Sequence, residues 1–157
     1  MKELWLAARL GSPELVERLL RKHYLPADTV IPETGLPLLL SVSHVLTRNP
    51  LRDQGLAHVM ALLVDRGAVL TQVVPMGSSH SCAGNNALHL VTILHAGSET
   101  ENRLNYLMNE IHKGDGAERM LRARNREGKL PEHLALSADV ADELRRQRIL
   151  SRLSKGI

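Results

Sequence analysis

Between Glu3 and Lys22 the chain holds two short amphipathic segments separated by only three residues, Gly11-Ser12-Pro13. Glu3 to Leu10 reads as a helix. Ser12 is placed as the N-cap of the next helix, with Pro13 in its first turn, where a missing N–H costs nothing. From Pro13 to about Lys22 the apolar Leu15, Val16, Leu19 and Leu20 recur at helical spacing, with Glu14, Glu17, Arg18 and Arg21 between them. Helices of about two to three turns cannot shield an apolar face alone. The pair therefore requires neighbours. What those neighbours are made of is constrained by composition: 43% of the 157 residues are apolar, yet there is no Phe, one Trp and two Tyr. A core of Leu, Val, Ala and Met suits closely packed helices better than a β-sandwich.

Three further pairs follow. Leu36 to Leu40 starts a short apolar helix at a proline, and its partner runs from about Leu56 to Arg66, ended by Gly67-Ala68. A third pair opens at Gly84 to Val91 and continues in Arg103 to His112. A fourth opens at Asn125 to Ala135 and ends in a helix from about Val140 to Leu153.

These segments resemble the ankyrin-repeat family. Leu4 to Gly11, followed by Glu14 to Leu20, is similar to a repeat entered at its first helix. Asn125 to Ala135 resembles the turn-plus-helix signature, Val64 to Ala68 the end of a second helix, and Ala87 to Leu90 the start of a first one. The resemblance implies an all-α, ankyrin-type solenoid of stacked helix-turn-helix units; another helical repeat is the alternative. One domain over 1–157 is expected, with units at about 1–24, 31–70, 81–116 and 124–153. Aligned on Leu6, Leu40, Leu90 and Leu134, the units are separated by 34, 50 and 44 residues, against a family period of about 33. The excess implies insertions around Val45 to Gly55, at Thr71 to Ala83 and within the third unit. The end units are expected to act as caps with a polar outer face.

The family binds proteins on a concave face made by its turns and first helices. Carried over where the motif aligns, the contact positions are Arg9 and Leu10, then Asn85, then Arg126, Glu127 and Lys129; simple solvation is the alternative for each. In the long 71–83 loop, Val73, Val74 and Met76 either offer an apolar contact or fold back onto the stack. The expectation is a non-enzymatic module for one specific protein partner, monomeric when free, serving as an inhibitor, immunity protein, effector or adaptor.

His80, Cys82, His89 and His95 lie close in sequence but lack the paired short spacings of a zinc site. His89 and His133 occupy one repeat position, where the family's histidine fixes the turn. Cys82 lacks an orienting partner, and Gly114-Asp115-Gly116 is not followed by the Lys and hydroxyl of a phosphate loop. No catalytic residue, metal or cofactor is expected. The net charge is +3, and half of the twenty Lys and Arg residues lie beyond Glu118. Arg145, Arg146, Arg148, Arg152 and Lys155 therefore keep a second reading open, contact with nucleic acid, although no aromatics interleave to stack on bases. A lone cysteine, no secretory pattern at the start and no membrane-length apolar run lead to the expectation of a cytoplasmic protein with no membrane partner.

Overall fold

The computed structural model describes residues 2–75, 83–95 and 97–155, with side chains through Ser151. Among these the chain is all-α apart from one small antiparallel hairpin. The first pair is α1 (Lys2–Arg9) and α2 (Pro13–Lys22). The hairpin β1 (Val30–Ile31) and β2 (Leu36–Pro37) then leads into α3 (Leu38–Ser43), followed by α4 (Pro50–Asp65). Next come α5 (Ala87–Leu94), α6 (Glu101–His112), α7 (Arg119–Arg122), α8 (Pro131–Leu134) and α9 (Ala138–Lys155).

Helices α1, α3, α5 and α8 touch in that order, and α2, α4 and α6 form a second row packed across them. Enclosure by neighbours explains the unbroken apolar run of α3: every residue from Leu38 to Ser43 is buried. α5 is buried likewise from Ala87 to Thr92. The core is almost wholly aliphatic, and the lone Trp5 packs against its edge. Helix α9 closes the far end through α7 and α8, and His112 Nε2 reaches Gln147 Oε1 at 2.8 Å.

One local turn recurs three times. Val30 faces Pro37 and Ile31 faces Leu36 in the hairpin; Val73 bridges Asn86; Asn125 N–H donates to Lys129 O at 3.0 Å. In each, a glycine with positive φ (Gly35, Gly84, Gly128) stands two residues before the helix N-cap, at Pro37, Asn86 and Leu130. That conformation is available to glycine without a Cβ penalty. Exposure alternates as a pleat requires: Val30, Val73 and Arg124 face out, while Ile31, Val74 and Asn125 are buried. Counting from the N-caps corrects the alignment by one residue, since Ser41 and not Leu40 corresponds to Leu90 and Leu134.

The histidines complete two of these turns. Asn86 N–H donates to His89 Nδ1 and Leu130 N–H to His133 Nδ1, each at 3.1 Å. Because His89 Nδ1 accepts, its proton sits on Nε2, which donates to Lys129 O at 3.0 Å and so ties one turn to the next. Burial pushes the His89 pKa below its ordinary 6.5, against the opposing bonds to the Lys129 and Ala123 backbone. The unfolded chain therefore takes the proton first. Stability from His89 is complete above about pH 6.5 and is lost as pH falls towards the lower folded value, at up to about 1.4 kcal/mol per pH unit. Urea unfolding from about pH 7 down to about pH 5 should show this loss, and His89→Gln should reduce the slope. An unchanged slope in the variant contradicts the assignment.

Residues 50–55, expected as part of an insertion between the helices, are instead the first turns of α4. Asn49 caps α4, its side chain accepting from Leu51 N–H at 3.0 Å, and Pro50 occupies the first turn. Gly55 lies inside that helix. Ser12 holds the N-cap place before α2 but makes no side-chain cap bond.

Candidate functional site

An open cleft of about 690 Å3 lies where the end of α1, the 33–36 turn, the end of α3 and the start of α4 converge. Its lining includes Trp5, Arg9, Leu10, Glu33, Leu46 and Arg52. Two further hollows continue it, one sharing Leu46 and Arg52, the next sharing Arg48 and Gly97 and ending at His95 and Glu99. Arg9 and Leu10 extend from the last turn of α1, and Arg52 Nε donates to Arg9 O at 2.8 Å. That bond satisfies a carbonyl at the helix end and fixes the arginine across the cleft.

The 45–49 segment is held from both sides. Thr47 N–H donates to Ser98 Oγ at 2.9 Å, and Ser98 Oγ–H returns to Thr47 O at 2.8 Å. Glu99 N–H also donates to Thr47 O, at 2.6 Å, and Asn49 N–H to Thr47 Oγ1 at 3.2 Å. Thr47 is buried, while Leu46 on one side of it is 66% exposed and Arg48 on the other is exposed as well. A fixed backbone thus presents a large apolar side chain and a cation to solvent. Among the described residues, Arg9, Arg48 and Arg52 make no ion pair with a carboxylate.

Beneath this surface lies an ion pair that sequence reasoning missed. Arg103 Nε donates to Asp53 Oδ1 at 2.6 Å, with both side chains fully buried. The other guanidinium nitrogens donate to the carbonyls of Val42, Ser43 and Glu99, and Asp53 Oδ2 accepts from Asn102 N–H at 2.7 Å. Burial pulls the Arg103 pKa down while the Asp53 carboxylate opposes it. The pair joins α4, α6 and the end of α3, and so sets the frame on which the 45–49 segment rests.

The residues expected to contact a partner separate. Arg9 and Leu10 line the cleft, Leu10 being 57% exposed. Arg126, Glu127 and Lys129 are exposed on the last turn, where Lys129 Nζ stands 3.6 Å from Glu127 Oε2; they do not line the cleft. Val73 is 42% exposed, but Val74 is fully buried, because it is the inward residue of its strand as Ile31 is of β1. Asn85 is also buried: its Oδ1 accepts from Asn125 Nδ2 at 2.8 Å, a bond between successive turns. Met76, His80 and Cys82 lie outside the described residues. Of the remaining His cluster, His89 is engaged in its turn and His95 Nδ1 meets Thr100 Oγ1 at 2.9 Å.

On α9, Arg145 pairs with Asp142 and Arg146 with Glu143, while Arg148 pairs with Glu132. No helix among the described residues is long and apolar enough to cross a membrane. No protein-family model matches the sequence, and comparison with curated proteins finds no significant relative.

Proposed function

We propose that this chain is a small ankyrin-type stack of helix pairs that binds one protein partner and has no catalytic role. Support for the architecture comes from the turn repeated before α3, α5 and α8, with its glycine, its alternating exposure and the histidine hooks of two of the three. The observation that carries the functional reading is a division among side chains. Those that point inward, such as Asn85, Asn86, His89 and Asn125, spend their hydrogen bonds on joining turns. Arg9, Leu10, Leu46 and Arg48 stand exposed on backbone that other residues hold. Inhibitor, immunity-protein, effector and adaptor roles in the cytoplasm all require such a surface. The arginines of α9 support a nucleic-acid role poorly, because each of the three described faces a carboxylate.

The test is affinity capture with the whole chain and with a variant carrying Arg9→Ala, Val73→Ser, Arg126→Ala and Lys129→Ala. A single partner retained by the parent and lost by the variant, at unchanged thermal stability, is the expected result. Retention by both, or recovery of nucleic acid alone, counts against it.

A further inference from the structure

We infer that the cleft beside Trp5 takes an extended acidic peptide segment with one large apolar side chain as its anchor. The inference rests on the binding-module reading and names the chemistry of the partner. Charge complementarity is the first ground. Among the described residues, Arg9, Arg48 and Arg52 line the cleft and its continuation without carboxylate partners, against one acid, Glu33, in the cleft and one, Glu99, in its far continuation. Arginines that meet no carboxylate among the described residues suit a planar bidentate carboxylate.

The second ground is shape and polarity. Trp5, Leu10 and Leu46 make part of the wall apolar, and the hollow of about 690 Å3 is large enough for one leucine-sized or aromatic side chain with its flanking backbone. Such a mixture of an apolar wall segment and nearby cations fits an apolar residue flanked by Asp or Glu. A nucleic-acid strand would use the arginines and Trp5 but leave Leu10 and Leu46 without a partner. Preorganisation is the third. The bonds around Thr47 mean that the backbone carrying Leu46 and Arg48 need not be ordered on binding, which lowers the entropic cost of association.

The chain's single tryptophan stands at this site, so binding reports itself. The experiment pans the immobilised whole chain with short random peptides and titrates the enriched ones against Trp5 emission. The expected outcome is enrichment of acidic sequences with one large apolar residue and a saturable emission change. Affinity should fall about tenfold or more in Arg9→Glu/Arg48→Glu, and weaken as salt rises. Lysine-for-acid versions should not bind. Enriched peptides of another composition, or ones that bind the charge-reversed variant equally well, overturn the inference and leave the binding-module reading standing. A single-stranded oligonucleotide, and no peptide, giving the Arg9- and Arg48-dependent signal overturns the inference and counts against the protein-binding reading as well. If no peptide is enriched while capture still returns a partner, the cleft assignment alone falls; failure of both removes the broader reading too.

Discussion

Replacing Arg103 by Met should cost about 3 to 5 kcal/mol, enough to leave the chain largely unfolded if its stability lies near the low end for small domains. The size follows from what stays behind. Asp53 would keep a buried charge with the Asn102 N–H to meet it, and the carbonyls of Val42, Ser43 and Glu99 would each lose a guanidinium donor. Asp53→Leu alone should cost a similar amount, since it strands the guanidinium. The double variant should recover a substantial part, because neither charge is then buried unpaired, though the Ser43 and Glu99 carbonyls lose the guanidinium donors. Urea unfolding of the two single variants and the double closes the cycle. Additive losses, or a loss below about 1 kcal/mol in Arg103→Met, contradict a dry ion pair at this position.

Gly55→Ala should destabilise by about 1 to 3 kcal/mol, the usual range for overpacking, although alanine is the better helix former by about 1 kcal/mol. A Cβ on Gly55 would stand 2.2 Å from the carbonyl oxygen of Gly11 and 3.0 Å from its carbonyl carbon. Both are backbone atoms of the turn between α1 and α2, so no side chain can swing aside. That turn must move away from α4, and the bond from Arg52 Nε to Arg9 O lies on the path. The substitution therefore also opens the cleft. Calorimetric or urea unfolding measures the stability, and Trp5 emission reports the local displacement. A stabilised variant with unchanged Trp5 emission would mean that the two backbones are not in contact.

Much of the helical order is legible in the chain. α2 occupies Pro13–Lys22 as the spacing of Val16, Leu19 and Leu20 requires, and α6 and α9 extend their expected ranges by only a few residues. Where sequence reasoning failed, a local signal was outweighed by a composition habit. Asn49-Pro50 repeats the cap-then-proline order of Ser12-Pro13, but the polar run from Thr47 to Gln54 and the long repeat spacing read as an insertion. Glycine inside a helix is explained only by the approach of Gly11, which no local pattern encodes. The burial of Val74 has a counterpart in sequence: Val73-Val74-Pro75 matches Val30-Ile31-Pro32, and the alternation of the second holds for the first.

The buried pair shows the same limit. Arg103 falls on one stripe with Leu107 and Ile111 in α6, so its placement on the apolar face was visible. Its partner, fifty residues earlier in what read as a polar loop, was not. The cleft was half legible. Arg9 and Leu10 follow from the repeat pattern, whereas Leu46, Arg48 and Arg52 become its neighbours only once α4 starts at Pro50 and the 97–99 segment pins Thr47. Asn85 was misjudged because a polar residue on a turn reads as solvated until its partner turn, with Asn125, is in place.

The most direct test of the binding claim is amide hydrogen exchange of the whole chain, free and with its captured partner bound. Slowed exchange on the last turn of α1, residues 33–36 and residues 44–52, with α9 unchanged, is the expected result. Slowed exchange confined to α9, or none anywhere in the chain, contradicts the claim that this protein works by holding a partner at the cleft beside Trp5.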